Sequence, residues 1–117
     1  MITVRPATAA DIPQITRIYR PAVEAGTASF ELSPPDEAEM GRRFASVTGS
    51  GYPYVIAEED GRMLGYAYAG AYRTRPAYRF TVENSIYVDP AAQGKGVGRV
   101  LLDRLAQDCT QRRFRLM

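Results

Sequence analysis

Between Thr81 and Arg99 the residue pattern changes period within a few positions, and this stretch limits the possible folds more than any other. Thr81, Val82, Ile86, Tyr87 and Val88 are β-branched or aromatic, the composition of a strand. Asp89-Pro90 ends that strand, since proline has no N–H for a ladder and keeps its predecessor out of the helical region. From Val97 onward apolar residues recur at helical spacing as Val97, Leu101, Leu105 and Cys109, a stripe widened by Gly98, Leu102 and Ala106. Gly94, Gly96 and Gly98 therefore stand where a strand turns into a helix.

Such a turn can hold an anion. The first amides of a helix have no intrahelical acceptor, and the helix dipole places partial positive charge beside them. A diphosphate there gains several hydrogen bonds at once. Glycine permits close approach and positive φ, while Lys95 and Arg99 add mobile charge. Without their surroundings the same glycines equally describe a tight surface connection. Two nucleotide motifs do not match: no Gly-Lys-Ser/Thr follows for a P-loop, and the spacing is not that of the dinucleotide fingerprint.

Composition removes further classes. With 117 residues, 45% of them hydrophobic, one domain with a modest core is expected over residues 1–117. The net charge is +2, from 15 basic and 13 acidic side chains, and Lys95 is the only lysine. Arg112, Arg113 and Arg115 read as a solvated tail, so no nucleic-acid partner is expected. There is no histidine and Cys109 is the only cysteine, which excludes Ser-His and Cys-His nucleophiles, an ordinary zinc site and an internal disulfide. Proton transfer must fall to Glu, Asp, Tyr or water, and no metal is expected. No run approaches the roughly 20 apolar residues that cross a bilayer, and no leader pattern opens the chain. A cytoplasmic protein with no membrane partner is expected.

The remaining elements can be placed in order. Ile2 to Arg5 reads as a strand, and Thr8-x-x-Asp11 with Pro13 as the start of a helix. Ile12, Ile15, Ile18, Tyr19, Ala22 and Val23 form its apolar face, and Gly26 its end. Ser33-Pro34-Pro35-Asp36 opens a second helix carrying Met40, Phe44 and Val47, which Gly49-Ser50-Gly51 closes. Tyr54 to Glu58 and Met63 to Tyr72 flank an Asp60-Gly61 hairpin turn, and a third strand runs from Tyr78 to Val88. The order β-α-α-β-β-β-α gives an α+β fold with a mostly antiparallel sheet flanked by helices.

Gln93-x-x-Gly96-x-Gly98, after a strand and opening a helix, resembles the acyl-coenzyme A signature of the GNAT superfamily of N-acetyltransferases. The surrounding Tyr78 to Val88, with its Val82-Glu83-Asn84-Ser85 string, is similar to the phosphinothricin and methionine-sulfoximine branch of that superfamily, and the likeness spans nearly the whole chain. The resemblance implies acetyl-coenzyme A as co-substrate and a small amine as acceptor. It assigns the pyrophosphate to Gln93, Gly94, Lys95, Gly96, Val97, Gly98 and Arg99, and the pantetheine arm to the backbone of Ile86, Tyr87 and Val88. A main-chain amide of the same strand would polarise the thioester carbonyl.

Glu83 taken alone reads as an exposed strand carboxylate. The resemblance makes it the base that receives the amine proton, with burial raising its pKa, and makes Asn84 and Ser85 substrate contacts. Arg73-Thr74-Arg75 would contact the acceptor, its guanidinium groups clamping a carboxylate, against the competing reading of a solvated hairpin loop. Phe30 and Glu31 would border the acceptor pocket, or else plug the core and approach a helix.

The family continues with further strands and a helix, whereas this chain ends at Phe114 to Met117, where the next strand would start. The expectation is therefore an incomplete domain that leaves a strand edge and an apolar helix face uncovered and pairs as a homodimer. The leading functional expectation is acetylation of a small amino-acid analogue. The alternatives are a catalytically silent acyl-coenzyme A-binding fragment or dimerisation module, and an acetyltransferase for another small amine.

Overall fold

A computed structural model describes residues 1–25, 33–71, 81–112 and 115–116. Along the chain these form β1 (Thr3–Pro6), α1 (Ile12–Glu24), α2 (Glu37–Gly49), β2 (Tyr54–Glu59), β3 (Arg62–Ala71), β4 (Thr81–Val88), α3 (Val97–Gln111) and β5 (Arg115–Leu116), with 3-10 turns at Ala9–Asp11 and Pro90–Ala92. The sheet order is β1-β2-β3-β4-β5; neighbours are antiparallel except β4 and β5, which run parallel. The α+β fold read from the sequence is the one observed, with β5 as a two-residue strand at the place where a further strand was expected to start.

Local chemistry explains the boundaries. Asp60 and Gly61 both take positive φ, at 53° and 77°, and join Glu59 to its partner Arg62 as a two-residue turn whose twist suits a hairpin. After α2 the Gly51 amide bonds to the Thr48 carbonyl and the Tyr52 amide to the Val47 carbonyl, a paired closure that needs the positive φ of Gly51. At the start of α1 the Asp11 carboxylate accepts from the Thr8 amide at 2.8 Å and from two nitrogens of Arg5 at 2.9 and 2.8 Å. Gly26 and residues 27–32 lie outside the described residues; within them α1 ends at Glu24.

The sheet divides the core in two. On one face α1 and α2 cover Tyr54, Ile56, Met63 and Tyr66, with Ile15, Ile18, Tyr19 and Met40 pressed against them. On the other α3 sets Val97, Leu101, Leu105 and Cys109 against Val55, Ala57, Leu64, Ala67 and Ala69. The two faces differ in kind: the first stacks Tyr54 on Tyr68 at 4.9 Å and Tyr66 against Tyr87 at 5.3 Å between ring centres, whereas the second is aliphatic apart from Tyr52 at its margin.

A bulge on β3 sets how closely α3 approaches. Ala57 pairs with Gly65 and Glu58 with Met63, which leaves Leu64 without a partner position. Gly65 then lies under the start of α3, where a Cβ would come 2.7 Å from the Tyr87 carbonyl oxygen and 3.2 Å from both Val97 and Leu101. The backbone oxygen cannot move aside as a side chain can. Gly65→Ala is expected to destabilise the protein by about 1–3 kcal/mol in urea unfolding, while Gly41→Ala on α2, where a Cβ meets nothing within 4 Å, is expected to add roughly 0.5–1 kcal/mol.

Candidate functional site

Along β4 the backbone faces alternate. The Asp89 amide donates to the Leu64 carbonyl, and the Tyr87 carbonyl lies over Gly65, so the odd-numbered residues turn their amides and carbonyls toward β3. Those of Asn84, Ile86 and Val88 point the other way. The pairing between β4 and β5 spans only Thr81 with Arg115 and Val82 with Leu116. Beyond Val82 the outer edge of β4 has no strand partner among the described residues. Of the three residues assigned to a backbone ladder, Ile86 and Val88 present groups to that edge, while Tyr87 turns its own toward β3.

Two connected spaces follow this edge. One of about 450 Å³ lies between Ile18, Pro21 and Ala22 of α1 with Ala25 just past its end, and the segment Ile86 to Val88, reaching Gln93. The other, about 440 Å³, runs from Ile86 and Val88 over Ala92, Gln93, Gly94 and Gly96 to Val97 and Gly98. They share Ile86, Val88 and Gln93, so the groove leads from the strand edge onto the glycine turn.

That turn has the geometry of an anion cradle. Gly94 and Gly96 have φ of +85° and +79°, and Gly96 caps α3. The Val100 amide bonds to the Gly96 carbonyl, so the amides of Val97, Gly98 and Arg99 precede the first intrahelical bond. Gln93, Gly94, Lys95, Gly96 and Arg99 are exposed around them. Arg99 reaches Asp103 only at 3.8 Å with most of its side chain in solvent, a weak tie that leaves it available to an anion.

Asp89 pins the turn from beneath. It is 5% exposed, accepts from the Ala91 amide at 3.0 Å, and pairs with Arg17 of α1 at 3.0 Å and with Arg62 of β3 at 3.8 Å. Burial pushes its carboxyl up, but the Ala91 amide, Arg17 and Arg62 together outweigh this and hold it below the usual carboxylate range. Sequence reasoning read Asp89 only as a strand stop; nothing in its spacing reveals a partner 72 residues away.

Glu83, Ser85 and Tyr87 project on the α1/α2 face, since Tyr87 packs on Tyr19 and Tyr66. Asn84 projects on the opposite face, away from Glu83. Burial of Glu83 was expected, yet it is exposed: its cross-strand partner is Gly70, which has no side chain to cover it. Phe30, Glu31, Arg73, Thr74 and Arg75 lie outside the described residues. The wall supplied by Pro21, Ala22 and Ala25 was missed: Ala22 reads as ordinary core on the apolar stripe of α1, and Pro21 and Ala25 carry no signal of their own. No group of His, Cys, Asp or Glu among the described residues could hold a metal ion. No described helix is long and apolar enough to cross a membrane.

The profile of the Acetyltransferase (GNAT) family matches residues 12–117. A phosphinothricin N-acetyltransferase of Alcaligenes faecalis is 55% identical over 107 residues, which cover 92% of this chain and 54% of that protein. An L-methionine sulfoximine/L-methionine sulfone acetyltransferase of Salmonella typhimurium is 40% identical over 107 residues, covering 92% of this chain and 63% of that protein. The crystal structure of a GNAT superfamily phosphinothricin acetyltransferase from Sinorhizobium meliloti in complex with acetyl-coenzyme A is 54% identical with a TM-score of 0.89, covering 94% of this chain and 60% of that one. The chain belongs to the GNAT acetyltransferase family. It spans between 54% and 63% of the length of these three proteins.

Because the Asp89 carboxyl is held low in the folded protein, its contribution is present above the unfolded-state pKa and is lost as pH falls through the folded value. Asp89→Asn is expected to cost about 1–3 kcal/mol at pH 7. Urea unfolding of both proteins from pH 7 downward should show the difference narrowing once the native carboxyl itself is protonated.

Proposed function

We propose that the chain carries the coenzyme wall and part of the acceptor wall of an acetyl-coenzyme A-dependent N-acetyltransferase, acting on the amino group of a small amino-acid analogue such as phosphinothricin or methionine sulfoximine. One observation carries the reading: the edge of β4 at Ile86 and Val88, without a strand partner among the described residues, leads directly onto the positive-φ glycines at the mouth of α3. An extended amide-bearing arm suits the edge as an added strand would, and a diphosphate suits the turn. Gln93, Lys95 and Arg99 would border that diphosphate. Residues 1–117 are on this reading part of one acetyltransferase domain.

The transfer is direct. The neutral amine attacks the thioester carbonyl carbon, the C–S bond breaks, and the sulfur leaves as a thiolate that takes up a proton. An amide on the outward edge of β4 would stabilise the carbonyl oxygen as negative charge grows. Glu83 accepts the ammonium proton, and its exposure favours a water between the two groups. Ser85 lies one pair along the same face and would contact the acceptor. Phe30, Glu31, Arg73, Thr74 and Arg75 are proposed as acceptor contacts on the family resemblance, and Asn84 through its outward-facing backbone only, since its side chain lies on the other face of the sheet. A homodimer and a cytoplasmic setting belong to the same reading.

Titration calorimetry with acetyl-coenzyme A and thiol release with phosphinothricin test it together. Binding is expected for the folded chain, and Gly96→Val, which forces a β-branched residue to φ of +79°, is expected to weaken it roughly tenfold or more. Glu83→Gln is expected to leave coenzyme affinity unchanged while slowing transfer on the order of 100-fold. Absence of heat with a well-folded sample would overturn the proposal.

A further inference from the structure

The two edges of the sheet are finished in opposite ways. β4 pairs with β5 only at Thr81 and Val82, so beyond Val82 its outer edge has no strand partner among the described residues. β1 is the other edge, a strand of four residues paired with β2 alone. The Ala7 amide bonds to the Tyr54 carbonyl at 2.8 Å, and Arg5 and Thr3 follow opposite Ile56 and Glu58. The alternation of an antiparallel ladder therefore turns the backbone groups of Thr3 and Arg5 toward β2 and those of Val4 and Pro6 away from the sheet.

Those outward groups are nearly all engaged. Arg104 of α3 reaches back 100 positions to donate from Nη1 to the Val4 carbonyl at 2.9 Å. Arg5 donates from Nη1 to the Pro6 carbonyl at 3.1 Å, and Pro6 has no N–H to offer. Val4 packs on the α3 side of the sheet, whereas Arg5 pairs with Asp11 ahead of α1, so guanidinium groups grip the edge from both faces. Arg104 is itself steadied, since its Nε donates to the Asp108 carboxylate at 3.1 Å one turn along α3 and its side chain is only 32% exposed. Of the outward hydrogen-bonding groups between Thr3 and Pro6, the Val4 amide alone remains.

A sheet with an accessible edge on each side is hazardous, because one edge of a copy can pair with the opposite edge of the next in a contact that repeats without closing. We infer that Arg104 closes the β1 edge against a second copy of this chain, and that without it copies add head to tail, β1 of one onto β4 of the next. The planar fork suits this task because it serves the carbonyl and the carboxylate together. The side chain also occupies the strip, about 4.8 Å out from β1, in which an incoming strand would have to lie.

Sedimentation velocity of the whole chain over a range of concentrations, with no coenzyme present, tests the inference; circular dichroism and thermal melting show that each variant is folded. Arg104→Met keeps an apolar stem and removes the donor. Its average mass should climb roughly threefold or more as concentration is raised about tenfold, while the unsubstituted protein keeps one size. Arg104→Gln, too short to span to Val4, repeats the measurement should the methionine variant melt below the working temperature. Arg104→Lys retains a donor and should keep the unsubstituted size. Adding Val4→Pro to Arg104→Met removes the last outward N–H without touching the ladder to β2, and should restore that size. The inference is overturned if the folded variants lacking the donor sediment like the unsubstituted protein, if their growth stops at a dimer, or if it persists with Val4→Pro in place.

Discussion

A buried carboxylate holds together the parts on which the groove depends. Asp89 sits at the point where β4 ends, and its contacts go to three elements: Arg17 on α1, Arg62 on β3, and the Ala91 amide in the turn leading to α3. Its own amide continues the ladder to Leu64. Desolvating a charge is expensive unless several groups compensate, and here an amide and two guanidinium groups do so. The same contacts align α1, the strand edge and the glycine turn with one another.

With those parts aligned, two kinds of recognition separate cleanly. The outer edge of β4 offers backbone groups, at Ile86 and Val88, which suit a partner that presents complementary amides regardless of side chain. The inner surface offers side chains instead: Glu83, Ser85 and the tyrosines. A strand whose backbone and side chains point at right angles can serve both at once without either constraining the other. The bulge at Leu64 and the absent Cβ at Gly65 complete the arrangement, since they bring α3 close enough for its first turn to stand beside that edge.

Much of this was legible in the residues. The 2-to-3.6 change of period across Asp89-Pro90, the Asp60-Gly61 turn and the stripe Val97, Leu101, Leu105, Cys109 are local signals, and each element lies where they place it. Lysine, arginine and glycine at the α3 mouth were equally readable, because helix ends follow short-range rules. What escaped was long-range. The exposure of Glu83 depends on Gly70 across the ladder, the Asp89 pairing reaches back to Arg17, and the need for glycine at 65 arises from a carbonyl 22 positions later. Tyr66 shows the same limit: it reads only as part of a strand, and no periodicity states that its oxygen lacks a partner among the described residues.

The unlike faces of the sheet carry a consequence for how such a chain can change. On the aliphatic side, α3 fits against small residues with a backbone atom in the contact, so that surface tolerates little revision. On the tyrosine side, adding or removing a single phenolic oxygen alters polarity with almost no change in volume. The backbone plane lies between, and exchanges that share no partner across it act independently. Composition could therefore drift by hydroxyl-sized steps on one side while the opposite side stays as it is.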